Sequence, residues 1–559
     1  MAQTAPDAAP QTAAELVAAR ADDDGVGLRF DDRSWTWRQI VAEAERRARL
    51  LQSAAGAEGP FHVGVLLENV PEYLFLLCGA ALAGATVVGV NPTRRGQELA
   101  RDIRHTDCQL VITDGDLAPL LDGLDIGADI VAVDGASYAA ALQDSEALLL
   151  SPALRPAPDD LFLLLFTSGS TGAPKAVRMS HRRFTGIATT MAGSLGFGPG
   201  SVLYCTMPMF HGNALLTCVG PGLAGGATLV LRRRFSASGF LPDVRHYGAT
   251  YFNYVGRALA YVLATPEQPD DAHNPLRFAM GTDASPGDIA DFRRRFGCYV
   301  VEGYGQSEGA ISISPVPGMP AGAMGLPVGD ADVAVVGGDG TELPRARFDD
   351  EGRLANPDEA IGEIVKRDGR GEFEGYYANP EAEAERTRGG WYWSGDLGYR
   401  DEAGYFYFAG RTSDWLRVDG ENFAAAPVER LLERFDPVRV AVVYAVPDPR
   451  TGDQVMATLE LDRGAVFDPE AFVAFLERQA DLGTKWTPRL VRVTGHVPVT
   501  ASGKVDKRPL RDERWRTSDP VWWWPAGERR RRYRRLDRQD VDQLERAFDT
   551  HGRSEYLRR

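Results

Sequence analysis

The sequence predicts an α/β fold: a large N-terminal domain of layered α/β subdomains followed by a small C-terminal α+β domain. Three observations predict it. The chain has 559 residues, more than a single domain of about 100–200 residues accommodates. From roughly residue 30 to 510, short apolar strand-like runs alternate with amphipathic helical stretches, the pattern of helices layered on sheets. Near Gly410-Arg411-Thr412-Ser413, after a Gly- and aromatic-rich hairpin at 404–408, that pattern restarts. The domains are therefore placed at 1–410 and 411–559.

The elements follow in order. Residues 1–25 are Ala-rich and polar and are expected to begin loosely ordered. Strand-like runs lie at 62–67, 109–113, 130–133, 161–166 and 227–231, with helix-like segments such as 37–51 and 97–104 between them. The uncharged stretch 73–90 has nearly the length of a membrane span. Gly84-Ala85 interrupts it and Thr86-Val87-Val88 is strand-like, so it reads as a buried helix, a turn and a buried strand. Beyond residue 413 come a helix (426–435), two strands (439–445 and 455–461), a helix (469–479) and a strand (490–493). No short internal repeat is present.

Composition excludes several classes. Hydrophobic residues make up 44% and charged residues 25%, which supports a substantial core and excludes global disorder. The net charge of −16 argues against a nucleic-acid partner. Cys78, Cys108, Cys205, Cys218 and Cys298 form no C-x-x-C pair, which argues against a disulfide scaffold or zinc knuckle and fits a reducing, cytoplasmic setting. No basic region followed by an apolar core opens the N-terminus, so no signal peptide is expected.

Four segments bear on chemistry. Phe166-Thr167-Ser168-Gly169-Ser170-Thr171-Gly172-Ala173-Pro174-Lys175 follows an apolar strand. Its glycines let the backbone curl so that several N–H groups face one anion, its hydroxyls add donors, and Lys175 adds charge. The spacing is not that of a Walker loop, since Ala176 follows the lysine. A Ser/Thr/Gly run alone is as often a surface loop, but the preceding buried strand and the Pro-Lys ending favour phosphate. Glu302-Gly303-Tyr304-Gly305-Gln306-Ser307-Glu308 offers a ring to stack on a base, a hydroxyl for phosphate and a carboxylate for Mg²⁺. Taken alone it is an ordinary turn after a strand. Trp391-Tyr392-Trp393-Ser394-Gly395-Asp396, with Arg411 shortly after, presents an acid suited to a ribose diol, though a solvated turn aspartate is the commoner meaning. Pro498-Val499-Thr500-Ala501-Ser502-Gly503-Lys504 sets a lysine just beyond a glycine turn, where a lysine is ordinarily just solvated.

In this order and at these separations, these segments resemble the adenylate-forming superfamily of acyl-CoA synthetases, non-ribosomal adenylation domains and luciferases. The likeness runs from about residue 30 to 511. Thr167 through Lys175 is similar to the superfamily's phosphate loop, Tyr304 to Glu308 to its Y-G-x-[ST]-E element, and Ser394 to Asp396 to its [ST]-G-D element. Gly410 to Glu429 is similar to its linker, and Pro498 to Lys504 to its P-x-T-x-S-G-K element. Asn91-Pro92-Thr93-Arg94-Arg95-Gly96, Phe252-Asn253-Tyr254-Val255-Gly256, Arg294-Arg295-Phe296-Gly297 and Gly410-Arg411-Thr412-Ser413-Asp414-Trp415 most resemble the fatty-acid-transport-protein and very-long-chain acyl-CoA synthetase branch.

The resemblance implies an ATP-, Mg²⁺- and coenzyme A-dependent ligase. A carboxylate would attack the α-phosphate of ATP to give acyl-AMP and pyrophosphate, and the thiol of coenzyme A would then displace AMP. Lys504 would lie against the α-phosphate and carboxylate oxygens. Thr167, Ser168, Gly169, Ser170, Thr171, Gly172 and Lys175 would hold the β- and γ-phosphates. Glu308 would ligate Mg²⁺, Ser307 would touch the α-phosphate, and Tyr304 and Gly305, with Gly281 and Thr282 beside them, would receive adenine. Asp396 and Arg411 would hold the ribose. Phe210, His211, Tyr254 and Gly256 would line the acyl pocket, His211 being readable equally as a core or capping histidine. Gly420, Glu421 and Asn422 would line the coenzyme A tunnel. The small domain would be mobile about a hinge at Ser413. Two positions depart from the pattern. Ser413 stands where the superfamily usually has Asp or Lys, and Gly281-Thr282-Asp283 stands where G-N-G or G-G-A is common, which leaves the adenine contacts unsettled.

The resemblance leaves two other readings: a ligase that passes the acyl group to a carrier protein, and a non-catalytic binding relative. The acid itself is not specified, although the branch suggests a fatty or bulky lipid-like one. The tail joins Trp522, Trp523 and Trp524 to Arg529, Arg530, Arg531, Arg532, Arg534, Arg535 and Arg538, after which Val541, Leu544 and Phe548 recur at helical spacing. It reads as a solvated face, as a peripheral contact with an anionic membrane, or, least in keeping with the acidic chain, as a nucleic-acid contact.

Overall fold

The computed structural model describes residues 9–55, 60–151, 154–167, 175–256, 258–282, 284, 286–350, 352–411, 415–418, 421–450, 453–479, 481–483, 485–500, 503–525 and 530–557. It forms two compact units, Met1–Ser312 with Arg370–Glu385, and Ile313–Gly369 with Arg386–Arg559.

The first unit is built on two sheets. One runs in the order Tyr299–Glu302, Phe278–Thr282, Tyr251–Val255, Val202–Cys205, Thr228–Leu231, Val26–Phe30, Arg33–Thr36. Its pairings are parallel except for the hairpin Val26–Phe30/Arg33–Thr36. The other runs Asp129–Ala132, Leu110–Thr113, His62–Leu66, Thr86–Gly89, Leu161–Thr167, Lys175–Ser180, parallel up to the antiparallel pair at its end. The central Val-, Leu- and Ile-rich strands of this sheet are buried on both faces, as parallel strands between helical layers are, while the edge strand Asp129–Ala132 is partly exposed. The stretch 73–90 follows the sequence reading. Helix Pro71–Ala83 is buried nearly all round, Gly84 ends it at φ 72°, and strand Thr86–Gly89 follows. A side chain at Gly84 would fail twice, since its Cβ would lie 2.4 Å from the Leu154 carbonyl oxygen. Among the described residues no helix is long and apolar enough to cross a membrane.

In the second unit, Val333–Val336, Gly362–Lys366, Tyr392–Arg400 and Phe406–Arg411 form an antiparallel sheet. A further sheet runs Val438–Pro447, Asp453–Leu461, Leu490–Thr494, Val521–Trp523, Arg534–Arg535, with helices Ala425–Leu432 and Pro469–Arg478 contributing to its core. The compact units are thus drawn differently from the expected boundary at 410/411. The packing supplies the reason: Ala424 shares one buried cluster with Leu397, Tyr399, Tyr407 and Ala409, so the core of the first sheet continues past residue 411.

The tail, open to three readings from sequence, is partly built into the fold. Trp522 and Trp523 lie in a strand that pairs with Leu490–Thr494, and Arg534–Arg535 pairs outside it. Trp523 is buried with Val521, Leu544 and Phe548, whereas Trp522 and Trp524 pack against the separate cluster that holds Tyr533, and the Arg489 guanidinium lies 4.0 Å from the Trp524 ring. The tryptophans complete a sheet, and the arginines are the part of the tail that reaches the surface. Helix Arg538–Thr550 starts with an Asp537/Asp540 capping box and buries Leu544 and Phe548.

Candidate active site

In the first unit the expected residues gather at the carboxyl ends of parallel strands, where α/β sheets bind ligands. Thr167 ends one strand and pairs with Lys175, which begins the next. The intervening Ser168, Gly169, Ser170, Thr171 and Gly172 lie outside the described residues. Lys175 is nearly buried. Its Nζ lies 3.6 Å from Glu385 Oε2 and 5.8 Å from the centre of the Tyr376 ring. Glu308 is also buried, and its Oε1 accepts a hydrogen bond from the Tyr376 hydroxyl at 2.7 Å. One aromatic side chain therefore touches both the expected phosphate-binding lysine and the expected metal carboxylate.

Ser307 is held through its carbonyl, which accepts from Arg183 Nη2 at 2.5 Å. Its Oγ lies 3.2 Å from where a Cβ on Gly212 would stand, so glycine there keeps the approach clear. Gly212 follows His211, the N-cap of the short turn Gly212–Ala214 that continues as a π-helical turn, Leu215–Val219. Phe210 is buried against the His211 ring, with centroids 4.4 Å apart. Phe210 and His211 thus lie in the segment next to Ser307.

Gly281 and Thr282 end the neighbouring strand. Thr282 accepts a hydrogen bond from the Gly256 N–H at 2.8 Å, and Gly281 accepts one from the Gly303 N–H at 3.1 Å, which brings Tyr304 and Gly305 to the same sheet end. Tyr254 points to this side. Its ring lies 2.4 Å from a Cβ position on Gly281, and its hydroxyl donates to Glu302 Oε1 at 2.8 Å. Burial, and then the charge of Glu302, push its phenol well above the usual range. On the other face of this strand, Asn253 and Tyr251 reach the segment after His211, Tyr251 donating its hydroxyl to the Thr217 carbonyl at 2.9 Å. For Asn253 the contact is with Asn213: its Nδ2 donates to Asn213 Oδ1 at 2.8 Å, and its Oδ1 is buried with no partner among the described residues. Strand alternation is the signal that separates the two faces.

In the second unit Asp396 and Arg411 are cross-strand neighbours, with Arg411 Nε 3.5 Å from Asp396 Oδ1. Asp396 is buried and its N–H donates to Ser394 Oγ at 3.0 Å. Gly395 makes the bend at φ 70°, and its N–H donates to Glu363 Oε1 at 2.8 Å. Burial raises the Glu363 carboxyl above its ordinary value, and the Gly395 N–H partly opposes this. Lys504 follows Gly503, which has φ 83°. Its backbone is pinned from both sides, donating N–H to Thr500 Oγ1 at 3.2 Å and accepting from the Thr500 N–H at 2.7 Å. The segment is further fixed by Lys507, whose Nζ lies 2.8 Å from Glu429 Oε1. Ser413 and Gly420 lie outside the described residues. Glu421 and Asn422 belong to strand Glu421–Ala424.

Tyr376, Glu385, Arg183, Asn253, Glu363 and Glu429 were not anticipated. Mg²⁺ commonly binds through one or two carboxylates together with substrate phosphates. The lone buried carboxylate of Glu308 fits that use, and no cluster of three or more His, Cys, Asp or Glu among the described residues offers a protein-only site.

The site thus joins a buried carboxylate, a buried lysine and glycine turns at the strand ends of a layered α/β unit. The chain matches the AMP-binding enzyme family over residues 14–377 and the AMP-binding enzyme C-terminal domain over residues 427–504. It is 52% identical to the steroid-22-oyl-CoA synthetase of Rhodococcus jostii over 98% of this chain and 99% of that one. It is 46% identical to the medium/long-chain-fatty-acid–CoA ligase FadD17 of Mycobacterium tuberculosis over 91% of this chain and 98% of the other. The fold is similar to ATP-bound MatB from Rhodopseudomonas palustris, with TM-score 0.77 at 24% identity over 89% of this chain and 98% of that one. The chain belongs to the AMP-binding enzyme family.

Proposed function

We propose that this protein is an ATP-dependent acyl-CoA synthetase that activates a bulky, lipid-like carboxylic acid. It is an acid–thiol ligase with ATP and coenzyme A as substrates. The acid's carboxylate oxygen attacks the α-phosphorus of ATP, the bond to the bridging oxygen breaks, and pyrophosphate leaves. The thiol of coenzyme A then attacks the acyl carbonyl, gives up its proton, and AMP leaves with the electron pair of the acyl–oxygen bond.

The observation that carries the reading is the placement of Thr167, Lys175, Ser307, Glu308, Gly281 and Thr282 at strand ends of one unit in a chain of this family. Thr167 and Lys175 hold the terminal phosphates, Ser307 the α-phosphate, and Tyr304 and Gly305 the adenine beside Gly281 and Thr282. Asp396 and Arg411 hold the ribose. Lys504 stabilises charge gathering on the α-phosphate, a role worth several kcal/mol where water is excluded. Glu308 would hold Mg²⁺, which offsets phosphate charge when bound. Phe210 and His211, with Asn253 and Gly256, line the acyl pocket. Gly420, Glu421 and Asn422 line the thiol's approach, and a mobile boundary at 410/411 pivots at Ser413.

The relatives named for a steroid acid and for medium and long fatty acids support a bulky apolar substrate. The same reading places the enzyme in the cytoplasm, with a peripheral contact to a membrane in which such acids partition. A panel of fatty, steroid side-chain, terpenoid and carnitine-like acids scored by pyrophosphate release tests it, followed by release with coenzyme A against a phosphopantetheinyl carrier. Pyrophosphate release with none of the acids sinks the ligase reading, and release with the carrier alone sinks the thiol assignment.

A further inference from the structure

We infer that residues 530–538 form a docking surface for an anionic lipid bilayer, held by headgroup electrostatics and without insertion of the tail's tryptophans. The inference deepens the peripheral contact proposed above and rests on it. Arg530, Arg532, Arg534, Arg535 and Arg538 are exposed, and Arg531 is half-buried. Of these only Arg534 forms an ion pair with a described residue, Asp540 at 3.0 Å. Elsewhere on this surface exposed arginines are commonly paired, as Arg38 is with Asp24, Arg182 with Asp159 and Arg294 with Glu267. A chain with 78 acidic and 62 basic residues has carboxylates to spare. Five arginines within nine positions, without an ion-pair partner among the described residues, therefore keep a positive field on an otherwise negative molecule.

Position and chemistry select the partner. Arg534–Arg535 is the outermost strand of its sheet, and charge on an edge strand also deters pairing with another chain. That role does not reach Arg530, Arg532 and Arg538, which flank the strand. Trp522, Trp523 and Trp524 lie in or against the core, so the surface offers charge and planar donors rather than an apolar wedge. A guanidinium fork matches phosphate oxygens, and the proposed lipid-like acid arrives from a bilayer. A net negative protein approaches an anionic surface favourably through its positive patch alone, which fixes its orientation. Each arginine near such a surface contributes on the order of a fivefold gain in binding.

The test is co-sedimentation of the full chain with vesicles of phosphatidylcholine alone and of phosphatidylcholine with phosphatidylglycerol, at low salt and at about 1 M salt, where the Debye length falls to about 3 Å. The comparison is the triple variant Arg530→Gln, Arg532→Gln, Arg535→Gln, which leaves the Arg534–Asp540 pair and the start of the last helix intact. Wild type should prefer the anionic vesicles at least tenfold, salt should release it, and the variant should lose about a hundredfold. The variant's thermal midpoint and its activity on a water-soluble acid should be unchanged. Equal binding of variant and wild type removes this surface while leaving the peripheral contact. No binding of wild type to either vesicle overturns both. Salt-resistant binding to phosphatidylcholine means insertion and overturns the electrostatic mode. Binding of tRNA as tight as binding of anionic vesicles, or release by millimolar inorganic phosphate, overturns the assignment to lipid.

Discussion

Tyr376 donates its hydroxyl to Glu308 Oε1 at 2.7 Å, and both side chains are buried. A carboxylate that gives one oxygen to a fixed phenol has its plane and remaining lone pairs oriented before any ligand arrives. Removing the hydroxyl leaves Glu308 in place but free to turn. Tyr376→Phe should raise the Mg²⁺ concentration needed for half-maximal adenylation several-fold and cost about 1–2 kcal/mol of stability. Mg²⁺ titration of pyrophosphate release and thermal melting read the two effects.

Glu308→Gln tests the carboxylate itself. The amide occupies the same space and still accepts from Tyr376, but it supplies less charge to a hard cation. A larger increase in Mg²⁺ requirement than in Tyr376→Phe is expected, with slower adenylation. An unchanged Mg²⁺ dependence would remove Glu308 from the metal site.

The pair also marks how far sequence reading reaches. Gly84 announces its turn because the chemistry is local: an uncharged run, a glycine and a β-branched stretch. The apolar strand that leads into Thr167 was legible for the same reason. Tyr376 was not, because its partner lies 68 positions away and a tyrosine among Phe373, Tyr376 and Tyr377 looks like ordinary core. The composition of the tail left its three tryptophans open between a solvated face and a membrane contact, and a strand that completes a sheet edge uses the same residues. Tyr254 and Asn253 are adjacent in sequence and have partners on opposite faces, Glu302 and Asn213, both distant in the chain, so which residue meets which partner was not legible.

Gly281 sits over Tyr254 with no room to spare. A Cβ there would stand 2.4 Å from the Tyr254 ring and 2.5 Å from its carbonyl oxygen. The backbone contact cannot be relieved by a rotamer change. Gly281→Ala should cost about 1–3 kcal/mol as an overpacked core substitution does, and should raise the KM for ATP because the displaced strand end carries the proposed adenine segment. A melting curve and an ATP titration at saturating acid would detect both, and wild-type values in each would take Gly281 out of the site.

Lys504 is tested by separating the half-reactions. In its proposed role its charge acts where negative charge accumulates on the α-phosphate, in the adenylation step. Lys504→Ala should suppress acyl-AMP formation by on the order of a hundredfold or more, the scale of losing one transition-state donor. Thioester formation from preformed acyl-AMP should change far less. Single-turnover rates of the two steps make the comparison, and equal losses in both would reject the assigned role.

His181 supplies a pH-dependent prediction away from the chemistry. It begins helix His181–Leu195, packs in a tilted arrangement against Phe162 with centroids 4.7 Å apart, and is fully buried with neither ring nitrogen partnered among the described residues. Desolvation lowers its pKa from 6.5 to about 4, against a smaller opposing effect of Asp160. The positive end of the helix macrodipole also disfavours an imidazolium at this position. The folded state therefore holds the neutral ring, while the unfolded chain takes up a proton as pH falls below about 6.5. Because the unfolded state binds more protons in that window, unfolding becomes easier with acid. The loss begins near pH 6.5 and is complete near pH 4, reaching about 3 kcal/mol for a shift of this size. A neutral replacement cannot take the proton in either state. His181→Leu should lose some packing at pH 8 but should fall less steeply than wild type between pH 7 and pH 4.5. Denaturant melts of both proteins across that range isolate the histidine from the carboxylates they share, and parallel curves would show that His181 is not the group that titrates.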